Sequence, residues 1–112
     1  MIMEIDVKKE GKAVIISLTG RMDAVSAPQF DKTVDDFIEQ GETYILIDFR
    51  SLEYISSAGL QSILALAKRL ELMNGMVLLS DLNGAVKDVF EISGFSSIFT
   101  IYDNLDAATA ST

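Results

Sequence analysis

The sequence contains no cysteine and no histidine. The first absence excludes disulfides, thiol nucleophiles and cysteine-based metal sites. The second removes the usual general base, the Ser-His-Asp triad and the commonest metal ligand. Positive charge is scarce as well: 9 Lys and Arg stand against 17 Asp and Glu, a net charge of −8. The only adjacent basic pairs are Lys8-Lys9 and Lys68-Arg69. No basic face for nucleic acid is expected, and an anionic membrane surface would repel the chain. A basic protein surface suits it better. Glycine-rich phosphate loops are missing, so no nucleotide fingerprint is present. The N-terminal residues lack the charged-then-apolar order of a signal peptide, and no apolar run reaches the roughly 18 residues of a membrane span. The expectation is a soluble cytoplasmic protein with no cofactor or metal.

The 112 residues predict one domain, 1–112, with enough apolar content (49%) to fill a core. Met3, Ile5 and Val7 alternate with charged residues, the period of a half-exposed edge strand. Glu10-Gly11 is a turn, and Ala13 to Thr19 is a second strand in an antiparallel hairpin. Gly20 to Asp23 reads as a loop. Ser26, Pro28 and Gln29 then open a helix, with Ser26 as N-cap in a capping box and Phe30, Val34, Phe37 and Ile38 on its apolar face. Gly41 stops it.

Tyr44 to Phe49 is nearly all apolar, as a strand buried on both faces should be. A helix carrying Leu60, Ile63, Leu64, Ala67 and Leu70 follows, then Asn74-Gly75 and a strand from Met76 to Leu79. Strand, helix, strand predicts a parallel βαβ unit. A further helix from Asn83 turns Val86, Val89 and Phe90 inward. A last strand spans Ile98 to Tyr102, Asp103 caps a short final helix, and the tail frays. The expected fold is α/β, a mixed sheet of about five strands with an antiparallel N-terminal hairpin, the remainder parallel, and about four helices.

Leu52 to Leu60 joins the central strand to its helix, and Ser56 and Ser57 stand at the helix start. Unpartnered N–H groups and the helix dipole favour negative charge there. A serine at that point is either an N-cap or a hydroxyl that takes a phosphate. Gly59 serves either backbone freedom or clearance for a partner. Asp48, near the end of the central strand, and Asp23, after its neighbour, are expected on the same rim. They could equally be solvated loop acids.

Leu46-Ile47-Asp48-Phe49, Leu52, Tyr54-Ile55 and Ser56-Ser57-Ala58-Gly59-Leu60 resemble the STAS domain of anti-sigma factor antagonists. Leu18-Thr19-Gly20-Arg21-Met22-Asp23 is similar to that family's early signature. Val86 to Phe90 with Ser93-Gly94-Phe95 is similar to its late one. The resemblance implies a non-catalytic binding protein whose unphosphorylated form binds an anti-sigma factor that is also a serine kinase. A PP2C-type serine phosphatase resets it. The phosphorylated serine maps onto Ser57, with Ser56 as second choice. The partner-binding rim maps onto Asp23, Asp48, Ser56, Ser57, Ala58, Gly59 and Leu60. Many members carry aspartate where this chain has Ser56. Two other readings stand beside this one: a constitutive STAS scaffold with structural serines, and a small enzyme using Asp23 and Asp48.

Overall fold

The computed structural model describes residues 3–112. The elements run β1 (Glu4–Glu10), β2 (Ala13–Met22), α1 (Ala27–Glu39), β3 (Tyr44–Ile55), α2 (Ser57–Leu72), β4 (Met76–Ser80), α3 (Gly84–Ile92), a 3-10 turn at Phe95–Ser97, β5 (Thr100–Tyr102) and α4 (Leu105–Ala110). The five strands lie in sequence order; β1 pairs antiparallel with β2 and every other neighbour is parallel. The expected fold class is therefore the one observed.

Side-chain alternation decides what covers each face. Ile16, Leu18, Ile47, Phe49 and Leu79 point to one side and meet Phe30, Ile63, Leu66, Val86 and Phe90 from α1, α2 and α3. Phe90 packs against Phe49, Phe95 and Phe99 with centroids 5.6 to 6.4 Å apart, in edge geometry that adds about 0.5–1.5 kcal/mol per pair beyond burial. The other face holds a smaller cluster, Ile15, Leu46, Leu78 and Ala108, with Tyr102 and Leu105 against it. The Ala/Thr tail thus packs as α4, where a frayed end was expected, because Ala108 is fully buried over β3 and β4. Asn104, not Asp103, caps α4: its side chain accepts from Ala107 N at 2.8 Å.

Two strands run further than expected. β2 continues to Met22 and β3 to Ile55, replacing two expected loops. The cause is a pair of register shifts. From Ser17 to Thr19, β2 advances two residues while β3 advances three, from Asp48 to Ser51; from Gly20 to Arg21 it advances one while β3 advances two. Each bulge adds an unpaired residue to β3 and re-aims the side chains after it. The buried positions become Phe49, Leu52 and Ile55, every third residue, and the period of two is lost.

Candidate functional site

Ser56 and Ser57 stand where β3 gives way to α2, and they play different parts. Ser56 is the N-cap, with extended backbone (φ −93°, ψ 175°); its hydroxyl accepts from Gly59 N at 3.3 Å and its carbonyl from Leu60 N at 2.9 Å. The helix begins at the serine pair, as expected, and Ser56 closes its first turn. Ser57 is the first helical residue and is exposed. Its own N–H and that of Ala58 have no acceptor within the helix, and no acidic residue sits in the first turn.

The neighbouring strand end is tied to this corner. Ser56 N donates to the Met22 carbonyl at 2.9 Å. After Met22 the chain turns tightly through Asp23 to Ser26. Asp23 Oδ1 accepts from Val25 N at 3.0 Å and from Ser26 N at 3.1 Å. The Ser26 hydroxyl accepts from Asp23 N at 2.9 Å and donates to the Arg21 carbonyl at 2.8 Å. It is spent on this turn, so the expected capping box with Gln29 does not form; α1 has no side-chain cap bond from Ser26. The hydrogen bond from Ser26 N, with those from Val25 N and the Ser26 hydroxyl and the nearby Arg21 charge, holds the Asp23 carboxyl below its ordinary value of 3.8, outweighing the opposing effect of partial burial. The Arg21 guanidinium itself lies over the Tyr54 ring, 4.2 Å from the centroid.

The turn presents one residue that sequence reasoning missed. Val25 is 88% exposed, an apolar side chain held out by a hydrogen-bonded loop. Its only sequence signal is negative: it belongs neither to the alternation of β2 nor to the apolar stripe of α1.

The structure brings Asp23, Ser56, Ser57 and Ala58 together and removes three residues from the expected rim. Gly59 is buried and faces inward. A Cβ there would lie 2.7 Å from Ile55 Cγ1 and 3.0 Å from the Met22 carbonyl oxygen. Its role is close packing of α2 onto the strand ends, not positive φ and not clearance for a partner. Leu60 is buried beside it. Asp48 lies in mid-strand, seven residues before Ile55, and its strand partner Ser17 lies five residues before Met22. At ~3.3 Å per residue the separation from the serine corner is roughly 15–20 Å. Asp48 instead accepts from the Ser17 hydroxyl at 3.1 Å and from Arg50 N at 2.9 Å.

A family model described as the STAS domain matches residues 4–108. The chain belongs to the STAS domain family. BtrV of Bordetella bronchiseptica, provisionally named an anti-sigma factor antagonist, is 36% identical over 108 residues, 96% of this chain and 93% of that protein. The anti-sigma F factor antagonist of Paenibacillus polymyxa is 26% identical over 93% of this chain and 90% of its own length. A crystal structure from Thermotoga maritima, provisionally described in the same terms, superposes with a TM-score of 0.90 at 25% identity, covering 96% of this chain and 92% of that one. SpoIIAA in its unphosphorylated form shares the fold, with a TM-score of 0.76 at 21% identity over 96% of both chains. Among the described residues no helix is long and apolar enough to cross a membrane.

Proposed function

We propose that this STAS domain is an anti-sigma factor antagonist, a binding protein without catalytic activity that is switched by phosphorylation of Ser57. The observation that carries the choice of site is the division of labour between the two serines. The Ser56 hydroxyl is engaged in capping Gly59 N, while that of Ser57 is exposed one residue later, over unpaired helix N–H groups. A phosphate on Ser57 gains those donors and the helix dipole without unfolding anything, and it adds about −1.5 to −2 charges. The same charge lands beside Asp23 and the apolar Val25.

The partner, in this reading, is a protein that covers the neutral corner formed by Val25, Ser57 and Ala58. We assign it as an anti-sigma factor that also acts as the serine kinase, with a PP2C-type phosphatase to reset the switch and cytoplasmic residence for all three. Burying an unpaired phosphate in such an interface costs several kcal/mol, enough to dissociate it. The names of BtrV and of the Paenibacillus relative support the antagonist role. SpoIIAA, of the same fold, has been solved in a phosphorylated form, so the fold tolerates the modification.

The test is a phosphosite map of the protein from its own cells by peptide fragmentation, paired with partner capture by wild type, Ser57→Ala and Ser57→Asp. Condition-dependent phosphate on Ser57, with binding kept by Ser57→Ala and lost by Ser57→Asp, is expected. Phosphate on Ser56 alone moves the site by one residue. No phosphate and equal capture by all three proteins makes the domain a constitutive scaffold.

A further inference from the structure

We propose that two copies of this chain associate through their β1 strands, paired antiparallel about Val7 into one continuous ten-stranded sheet. The proposal stands apart from the switch at Ser57.

β1 is an edge strand with none of the usual geometric protections. It is seven residues long, contains no proline, and pairs with β2 through all seven positions without a register shift. Among the described residues nothing pairs with its outer side. Its lysines are the remaining protection, and they guard the edge only against strands that do not match them.

The strand matches itself. In an antiparallel ladder only every second residue turns its N–H and C=O outward, so a residue pairs with a partner whose number has the same parity. Three such registers keep most of the strand paired. Centring on Asp6 puts two aspartates face to face. Centring on Lys8 opposes two lysines and sets Asp6 against Glu10. Centring on Val7 engages all seven residues, places Val7 against its own copy and sets Asp6 opposite Lys8 on both sides of the axis. Glu4 then faces Glu10 of the second copy at the ends, where Lys8, 3.9 Å from Glu10 in its own chain, offsets the repulsion.

Exposure fits this register. Val7, 42% exposed, would be covered by Val7 of the second copy. Asp6 and Lys8 are exposed and share the sheet face of Ser17 and Ile15. Lys9, on the other face, is held by Glu42 at 2.7 Å and contributes its alkyl stem beside Ile5. Backbone bonds and Val7 supply the attraction; exposed charge pairs choose the register more than they add affinity.

Charge exchange tests it directly. Sedimentation velocity from micromolar to millimolar concentration should show self-association of the wild type. Asp6→Lys and Lys8→Asp should each weaken it on the order of tenfold, by opposing like charges twice. These substitutions move the net charge in opposite directions, so a loss in both cannot come from overall repulsion. The double exchange Asp6→Lys/Lys8→Asp keeps the net charge at −8 and should restore association. Circular dichroism confirms that each variant is folded. A wild type monomeric at millimolar concentration, single variants that associate like wild type, or a double variant that stays monomeric would each overturn the proposal.

Discussion

Met22 and Ser56 are joined by a backbone hydrogen bond of 2.9 Å, from the serine amide to the methionine carbonyl. It fixes the end of β2 to the start of α2, so the Asp23–Ser26 turn and the first turn of α2 form one surface.

The two serines should separate cleanly by stability. Ser56→Ala removes the cap on Gly59 N; at 3.3 Å that bond is long, so a loss of about 1 kcal/mol is expected, a fall in Tm of roughly 4 °C. Ser57→Ala, at the first helical position and exposed, should leave Tm unchanged. Thermal unfolding of both variants checks this. A larger loss in Ser57→Ala than in Ser56→Ala would exchange their roles.

Gly59→Ala tests the close approach of α2 to the strand ends. Alanine is better than glycine within a helix by ~1 kcal/mol, so propensity alone predicts stabilisation. The added methyl would meet Ile55 Cγ1 at 2.7 Å and the Met22 carbonyl, which is backbone and cannot swing aside. A net loss of about 1–3 kcal/mol is expected in urea titration.

How much of this was legible in the sequence depended on whether the pattern was local. The hydrophobic period of α1, the glycine stop at Gly41 and the apolar run from Tyr44 are local, and α1 and the first half of β3 lie where they put them. The bulges in β3 are not local. Arg50, Ser51 and Glu53 read as loop because the extra residues that re-aim Leu52 and Ile55 are defined only by pairing with β2. The capping box failed for a related reason: Ser26 and Gln29 have the right spacing, but the Ser26 hydroxyl is drawn to Arg21 and Asp23 across the turn. At the site, sequence located the serines, while their division into cap and exposed hydroxyl required the helix start. Gly59 drew a functional reading only because its neighbours in space were unknown.

Asp23 should show in acid. Its folded-state carboxyl titrates below 3.8, so it stabilises the fold above that value, and the contribution disappears as pH falls through the lowered value. Asp23→Asn keeps a side-chain oxygen for the Val25 and Ser26 amides but cannot titrate. The variant should therefore lose less stability than wild type on acidification. Carboxyl NMR titration of wild type should place the Asp23 midpoint below 3.8. An ordinary midpoint would count against the turn as drawn.

Val25→Asp should behave as a pure binding variant. At 88% exposure the side chain contributes nothing to the core, so stability should stay within about 0.5 kcal/mol of wild type. Captured partner should bind at least tenfold more weakly, because a charge replaces the apolar group at the centre of the corner. Unchanged affinity would place the partner elsewhere on the domain.

Asp48→Asn separates the serine corner from the rest of the sheet's carboxyl end. On a flat strand Asp48 and Ser57 would belong to one rim; the extension of β3 past Asp48 carries them apart. Asp48 holds two bonds, one to each carboxylate oxygen, from Ser17 and Arg50. Asparagine keeps the acceptor for Arg50 N, and its amide can donate to the Ser17 hydroxyl in place of the bond it accepted, so stability should fall by no more than about 1 kcal/mol. Partner binding and phosphorylation of Ser57 should be unaffected. If both instead fell with stability intact, the partner's footprint would have to span β3 from Ile55 down to Asp48, and the switch would engage the face of the sheet as well as its corner.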